Sequence, residues 1–408
     1  MNSEELRTYF PQLSERVYGN PLVYLDNAAT AMRPVQVVRK WDEMSLKLNS
    51  NLHRAVHHIA DLATEEYEST RAAVADFIGA SSSDEIVFTS GTTASINLVA
   101  YSFGEAFVGE GDEIIVSEAE HHSDIVPWQL LCGRKKAVLR VIPVDDDGCL
   151  KTDVLKSLLS ERTKLVCVTH ISNVLGLVNP VKEVVKICHS NNCPVLVDGA
   201  QGAVHESVDV SDLDCDFYAF SGHKIYAAPG TGVLYAKKKW LDTMPPFLGG
   251  GEMIATVSWA GTTYAAAPHK FEAGTQNISG TPTFKPAIGL IGQMRCPEIE
   301  KQTDEVCDYL LNALTSDCRI KLYGNPSGGC RKIPLFSFSV EHIHHEDLAL
   351  ILDKMGVAVR SGQMCAEPLM DRFGVTGMLR ASFAPYNTLG EAKYFIESLD
   401  RAIKLLDR

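Results

Sequence analysis

The chain has 408 residues, more than one hydrophobic core ordinarily supports, so a large domain with a smaller companion is expected. Its 45% hydrophobic content predicts a fully folded chain, and a formal net charge of −13 argues against a nucleic-acid surface, because phosphate binding needs a basic face. Eleven cysteines, an odd number without paired Cys-x-x-Cys spacing, predict reduced thiols in place of a disulfide framework or zinc cage. The opening MNSEELRTYF lacks the basic flank and apolar run of a signal peptide, and no apolar stretch has the length of a membrane span. A cytoplasmic protein acting on a small molecule is therefore expected.

The first two thirds alternate short apolar runs with helical patterns, the rhythm of βα units around a mainly parallel sheet. Strands are predicted at Glu85–Thr89, Glu113–Ser117, Leu165–His170, Val195–Asp198, Phe217–Phe220 and Gly232–Tyr235. After Gly280 the pattern changes to an amphipathic helical stretch from about Pro286 to Leu314 and a strand at Leu335–Val340. Helices from about Glu346 to Met355 and from about Leu389 to Leu406 complete a second, α+β unit. The expected class is α/β, with a large domain over residues 18–285 and a small one from residues 1–17 with 286–408, the first residues packing on the latter.

Four segments carry candidate chemistry. Glu85-Ile-Val-Phe-Thr-Ser-Gly-Thr-Thr runs from a strand through a glycine turn into a helix, where free backbone N–H groups and the Thr92 and Thr93 hydroxyls can receive a phosphate dianion. An ordinary Thr-capped helix would read the same way. Val195-Leu-Val-Asp198-Gly-Ala-Gln201 ends an apolar strand in an acid, which needs a cationic partner such as a protonated pyridine nitrogen, or else caps the next helix. Phe217-Tyr-Ala-Phe-Ser221-Gly-His223-Lys224 puts a lysine at a strand end, where desolvation lowers its pKa and permits attack on an aldehyde. Most lysines are solvated surface charges, a poor match for this setting. Val357-Ala-Val-Arg360-Ser-Gly-Gln-Met-Cys365-Ala places a thiol on a polar, glycine-bearing loop, unlike the buried inert thiols that are commoner. Arg360 and Arg380 would favour its thiolate, and Arg380 suits a bidentate clamp on a carboxylate.

One ring of the pair His121 and His122 is expected to face inward and stack on a cofactor, the alternative being a helix start without that contact. His342, His344 and His345 lack a matching set of ligands and read as a solvated loop, so no metal is expected.

Together these segments resemble the group II, Suf-type cysteine desulfurase and selenocysteine lyase family of fold-type I pyridoxal-phosphate enzymes, in the class V aminotransferase lineage. The likeness begins at Tyr24-Leu-Asp-Asn-Ala-Ala-Thr and Asn51-Leu-His-Arg and includes Glu120-His-His-Ser-Asp-Ile-Val-Pro-Trp-Gln. It continues through Thr169-His-Ile-Ser-Asn173-Val-Leu-Gly, Gly249-Gly-Gly-Glu-Met-Ile and Phe271-Glu-Ala-Gly-Thr275 to the Cys365 loop. The resemblance implies a large domain with a mainly parallel seven-stranded sheet and a homodimer. It implies that Lys224 carries pyridoxal phosphate as a Schiff base, Asp198 pairs with the pyridine nitrogen, His121 stacks on the ring and Gln201 meets the phenolic oxygen. Thr92, Thr93, Ser221 and His223 would hold the phosphate, with Thr275 from the neighbouring subunit. Asn173, which would also contact the cofactor, Arg380, His53 and Arg360 would hold L-cysteine, and Cys365 would take its sulfur as a persulfide for iron-sulfur cluster assembly.

This chain has Gln363 and Met364 where many members have two histidines, and Ala94 where many have an acid. Members served by a zinc-containing acceptor tend to carry a histidine before the aspartate of the His-x-His-Asp stretch. Here Glu346 precedes Asp347, which favours a SufE-like acceptor. Selenocysteine lyase and cysteine sulfinate desulfinase would use the same cofactor site, and a silent scaffold of the same fold would have no need of Lys224.

Overall fold

The computed structural model describes residues 2–325 and 330–407. Its largest sheet has seven strands: β1 (Ile86–Thr89), β2 (Glu113–Ser117), β3 (Val138–Ile142), β4 (Thr163–Thr169), β5 (Val195–Asp198), β6 (Phe217–Ser221) and β7 (Gly232–Ala236). They lie in the order β1-β7-β6-β5-β4-β2-β3. β7 runs antiparallel to both neighbours, and the other pairings are parallel. Every residue of β2, β5, β6 and β7 is buried, because apolar clusters cover both faces of the sheet. That is why these strands read as continuous apolar runs.

β3 was not among the strands expected from the sequence. It is an edge strand with an exposed face, and Arg140 within it donates to Glu113 on β2 at 2.9 Å. Such a strand lacks the apolar run that marks its buried neighbours. The chain leaves β2 toward β3 on one side and returns to β4 on the other, so the switch point of the sheet lies at the C-terminal ends of β2 and β4.

The second sheet comprises β8 (Ile320–Tyr323), β9 (Leu335–Val340), β10 (Arg360–Gly362) and β11 (Met378–Ser382), antiparallel in the order β8-β9-β11-β10. Phe336, Phe338, Leu379, Phe395 and Leu399 form its core with the helices His345–Lys354 and Leu389–Leu406. The last helix has the expected bounds and starts in a capping box between Thr388 and Glu391. The expected single helix over 286–314 is two, Phe284–Met294 and Pro297–Ser316. Pro297 forces Cys296 into an extended conformation, φ −128° and ψ 151°, and this breaks the run.

The helix Ser3–Arg7 is tied to the chain's far end, with Arg7 Nη1 donating to Tyr386 O at 2.9 Å and to Glu391 at 2.8 Å. The all-thiol expectation is corrected: Cys149 and Cys330 form a disulfide across 181 residues of sequence. Such a pair is brought together by tertiary folding and leaves no local spacing signal. Cys132, Cys167, Cys188, Cys193 and Cys215 are buried thiols, and burial pushes each of them up and away from the reactive thiolate. Among the described residues no helix is long and apolar enough to cross a membrane.

Candidate active site

A cavity opens at the C-terminal ends of β2, β5 and β6, and Lys224 and Asp198 both line it. β6 ends at Ser221 and a single helical turn, Gly222–Lys224, projects the lysine. Burial drives its pKa down, Asp198 opposes that shift, and Arg380 and Arg360 reinforce it. Among the described residues the Lys224 amine has no hydrogen bond, which leaves it free to react with an aldehyde. Asp198, 4% exposed, accepts from the Ala200 N–H at 2.8 Å. Burial raises its carboxyl pKa, and Lys224 counteracts this.

The opposite end of the cavity is a helix start. Gly91 caps the helix Thr92–Phe107 at φ +152°, a conformation reserved for glycine, and a side chain on Gly232 would strike the Gly91 backbone at 2.4 Å. Two glycines thus let β1 and β7 meet beside the cavity. The Thr92 N–H and Oγ1 each lie 2.8 Å from Ser221 Oγ, and Thr93 Oγ1 lies 2.7 Å from Ser123 Oγ. His223 also lines the cavity, and burial lowers its pKa to about 4.

His121 faces inward. Its Nδ1 accepts the Ser123 N–H at 3.0 Å, which puts the proton of the neutral ring on Nε2. Burial, followed by the Lys224 charge, lowers its pKa to about 3, so the ring at neutral pH is uncharged. His122 turns to the Cys365 loop instead. Its N–H donates to Cys365 O at 2.7 Å and its Nε2 accepts the Glu367 N–H at 3.0 Å.

Arg380, on β11, lies directly across from Arg360 on β10, and both line the cavity. Arg380 Nη1 donates to Asn173 O at 2.8 Å and Nη2 to Asp26 at 3.0 Å, while its buried Nε has no partner among the described residues. Asn173 lines the cavity too, but its amide donates to Met364 O at 2.8 Å. Met364 and Cys365 hold φ of 54° and 56°, left-handed values uncommon for such residues. Cys365 is exposed and follows Met364, which lines the cavity.

Three residues singled out from the sequence lie elsewhere in this chain. Gln201 is buried behind the cavity and donates to Ala28 O at 2.8 Å. Thr275 lines a separate cleft beside Phe271 and Glu272. His53 Nε2 sits 2.9 Å from Glu68, with His269 close by, and this is a set of three possible metal ligands where none was expected. Arg71 already engages both oxygens of Glu68, at 2.8 and 3.1 Å, and its charge opposes a cation there. His342 is exposed, and His344 caps the helix His345–Lys354.

A free amine, a buried carboxylate, a neutral imidazole and a hydroxyl-rich helix start converge on one cavity, and this donor set fits pyridoxal phosphate. The family model for aminotransferase class-V matches residues 23–395. The chain belongs to the aminotransferase class-V family. Its fold is that of the fold-type I transferases. The sequence is 44% identical over 401 residues to a probable cysteine desulfurase of Halalkalibacterium halodurans, covering 98% of each chain. It is similar to the crystal structure of the cysteine desulfurase CsdA from Escherichia coli, with TM-score 0.91 and 37% identity over 100% of this chain and 99% of the other. It is likewise similar to the apo cysteine desulfurase of Thermococcus onnurineus NA1, with TM-score 0.93 and 38% identity over the same shares.

Sequence reasoning assigned no role in this class-V site to Asp26 or Ser123, and offered His122 only as the alternative inward-facing ring, although two of the quoted segments contain them. Asp26 reaches Arg380 because the strand Val23–Tyr24 pairs with Val357–Ala358, a contact with no local signature.

Proposed function

We propose that this chain is a pyridoxal-phosphate-dependent cysteine desulfurase that converts L-cysteine to L-alanine and leaves a persulfide on Cys365. The observation that carries the reading is the Lys224 amine, without a hydrogen bond among the described residues, beside buried Asp198 in a cavity lined by Met364, the neighbour of the exposed Cys365. The 44% identity to relatives described as cysteine desulfurases supports the substrate.

Bound pyridoxal phosphate would supply an electron sink. Lys224 would hold its aldehyde and, once displaced by substrate, move the Cα proton at Nζ. Asp198 would pair with the pyridine nitrogen, neutral His121 would cover the ring, and Thr92, Thr93, Ser221 and His223 would take the phosphate. Gln201, which lines a smaller recess shared with Lys224, would turn from Ala28 O to meet the phenolic oxygen. Arg380 and Arg360 supply positive charge for the substrate carboxylate, with Asn173 beside them. The Cys365 thiolate attacks the substrate sulfur: an S–S bond forms, the C–S bond breaks, and its electron pair stays with carbon, which takes a proton to give alanine.

The same reading makes the protein a cytoplasmic homodimer, in which Thr275 and His53 reach the cavity of the second copy. Their position outside the cavity in one chain supports this. Residues 18–285 then form the large domain and residues 1–17 with 286–408 the small one, which carries the Cys365 loop. The short loop supports the group II type, delivering sulfur to a SufE-like acceptor for iron-sulfur cluster assembly.

Alanine release from L-cysteine by wild type and Cys365→Ala tests the proposal. The variant is expected to keep the visible absorption of bound cofactor and lose alanine formation. Equal turnover by both proteins would remove Cys365 from the reaction and point to selenocysteine or cysteine sulfinate as substrate.

A further inference from the structure

Between β2 and the helix Val126–Lys135 the chain presents His121 to the cavity, while Glu120 and Asp124 are enclosed in the interior. Both acids are 0% exposed. Glu120 Oε1 accepts from Ser117 Oγ and from the Thr169 N–H, the latter at 2.7 Å. Asp124 Oδ1 accepts from Trp128 Nε1 at 2.7 Å. The second oxygens, Glu120 Oε2 and Asp124 Oδ2, are buried and have no donor among the described residues. Yet the two carboxyls lie within hydrogen-bonding reach of each other.

Two ionised carboxylates have no proton to share, so this contact is repulsive unless one proton sits in it. No cation forms an ion pair with either acid among the described residues. Asp198, at the end of β5, adds a third negative charge. Burial pushes both carboxyls up, and the pair in turn raises Cys167.

We propose that Glu120 and Asp124 hold one proton between Glu120 Oε2 and Asp124 Oδ2, giving the pair a single negative charge. They are positioning residues. They anchor the two ends of the His121-His122-Ser123 turn, and the shared proton limits the anionic charge behind Asp198, which leaves Asp198 as the carboxylate that meets the cofactor. The functional part of this inference rests on reading the cavity as a pyridoxal-phosphate site; the shared proton itself does not.

Asp124→Asn and Glu120→Gln each replace the proton-sharing contact with an amide donor and keep the single charge, whereas the double variant abolishes the charge. The first readout is the infrared carbonyl band of a buried protonated carboxyl, identified by its shift in D2O, on cofactor-free protein at pH 8. Wild type is expected to show it and both single variants to lack it. The second readout is the pH midpoint of the visible absorption band of cofactor-loaded protein. Single variants are expected to match wild type, and the double variant to fall by about one pH unit, because the cationic form of the cofactor's link to Lys224 loses a nearby anion. Absence of the infrared band from wild type overturns the proposal, as does a midpoint shift in each single variant equal to that of the double. If the double variant fails to fold, the infrared comparison of the isosteric single variants still decides. Failure of wild type to bind cofactor would sink the pyridoxal-phosphate reading and leave the infrared test standing.

Discussion

Replacement of Glu272 by glutamine isolates the energy of a buried ion pair that supports the segment leading to Thr275. Arg71, on the helix His58–Phe77, is 2% exposed and meets Glu272 through two parallel bonds of 2.6 and 2.9 Å. Glu272 also accepts the Phe88 N–H at 2.7 Å, and the guanidinium lies 4.6 Å from the Phe88 ring centroid. Glutamine keeps one acceptor but turns an amide N–H toward a guanidinium N–H, leaving a buried positive charge poorly compensated. Loss of one partner of such a pair costs about 3–5 kcal/mol. Glu68, still bound to Arg71 from the half-exposed side, places Glu272→Gln near the lower end, about 3 kcal/mol. Denaturant titration of cofactor-free wild type, Glu272→Gln, Arg71→Met and the double variant forms a cycle that measures the coupling. Because Arg71→Met removes the stranded charge, the double variant is expected to be more stable than the sum of the single losses by at least about 1 kcal/mol. A Glu272→Gln cost below about 1 kcal/mol, or an additive double variant, would refute the argument.

The buried histidines make stability depend on acid. His121, His170 and His205 are held neutral, with pKa values lowered to about 3, 4 and 4 by burial, while the unfolded chain titrates near 6.5. The unfolded state therefore binds more protons below pH 6.5, so their contribution is intact above that value and is lost as pH falls toward 4. Melting curves of wild type and His170→Gln between pH 7 and pH 5 check this: the wild-type decline should be steeper, and parallel curves would show that His170 is not held neutral. For the Cys365 loop, His122→Ala removes the acceptor of the Glu367 N–H, worth about 1 kcal/mol or roughly fivefold in rate if the loop must be held for reaction. Cysteine turnover should fall by that factor while cofactor absorption is kept, and unchanged turnover with unchanged Cys365 alkylation would show that the contact is idle.

How much of this was legible follows the physics of each feature. β2, β5 and β6 lie between two apolar layers, so burial wrote continuous apolar runs into the sequence, and the polar residues that end them, Asp198 and Ser221 with Lys224, stood out against that background. β3, exposed at an edge, carried no such contrast. Cys365 was separable from the buried thiols by its polar, glycine-bearing neighbours. The partners made by long-range pairing were hidden: Asp26 for Arg380, Met364 O for Asn173, and Cys149 for Cys330. The Glu120 and Asp124 pair was quoted within a segment but not recognised, because spacing alone does not reveal that both side chains are fully buried.

The Cys365 loop is moored rather than tethered. Asn173 grips the Met364 carbonyl, His122 grips the Cys365 carbonyl, and two successive left-handed residues fix the path between them. A sulfur atom carried on this side chain can move little farther than a rotation about Cα–Cβ allows. Under the proposed function, hand-over would then depend on the visitor's approach: the exposed thiol stays where the loop holds it, and an acceptor would have to bring its receiving group to that point.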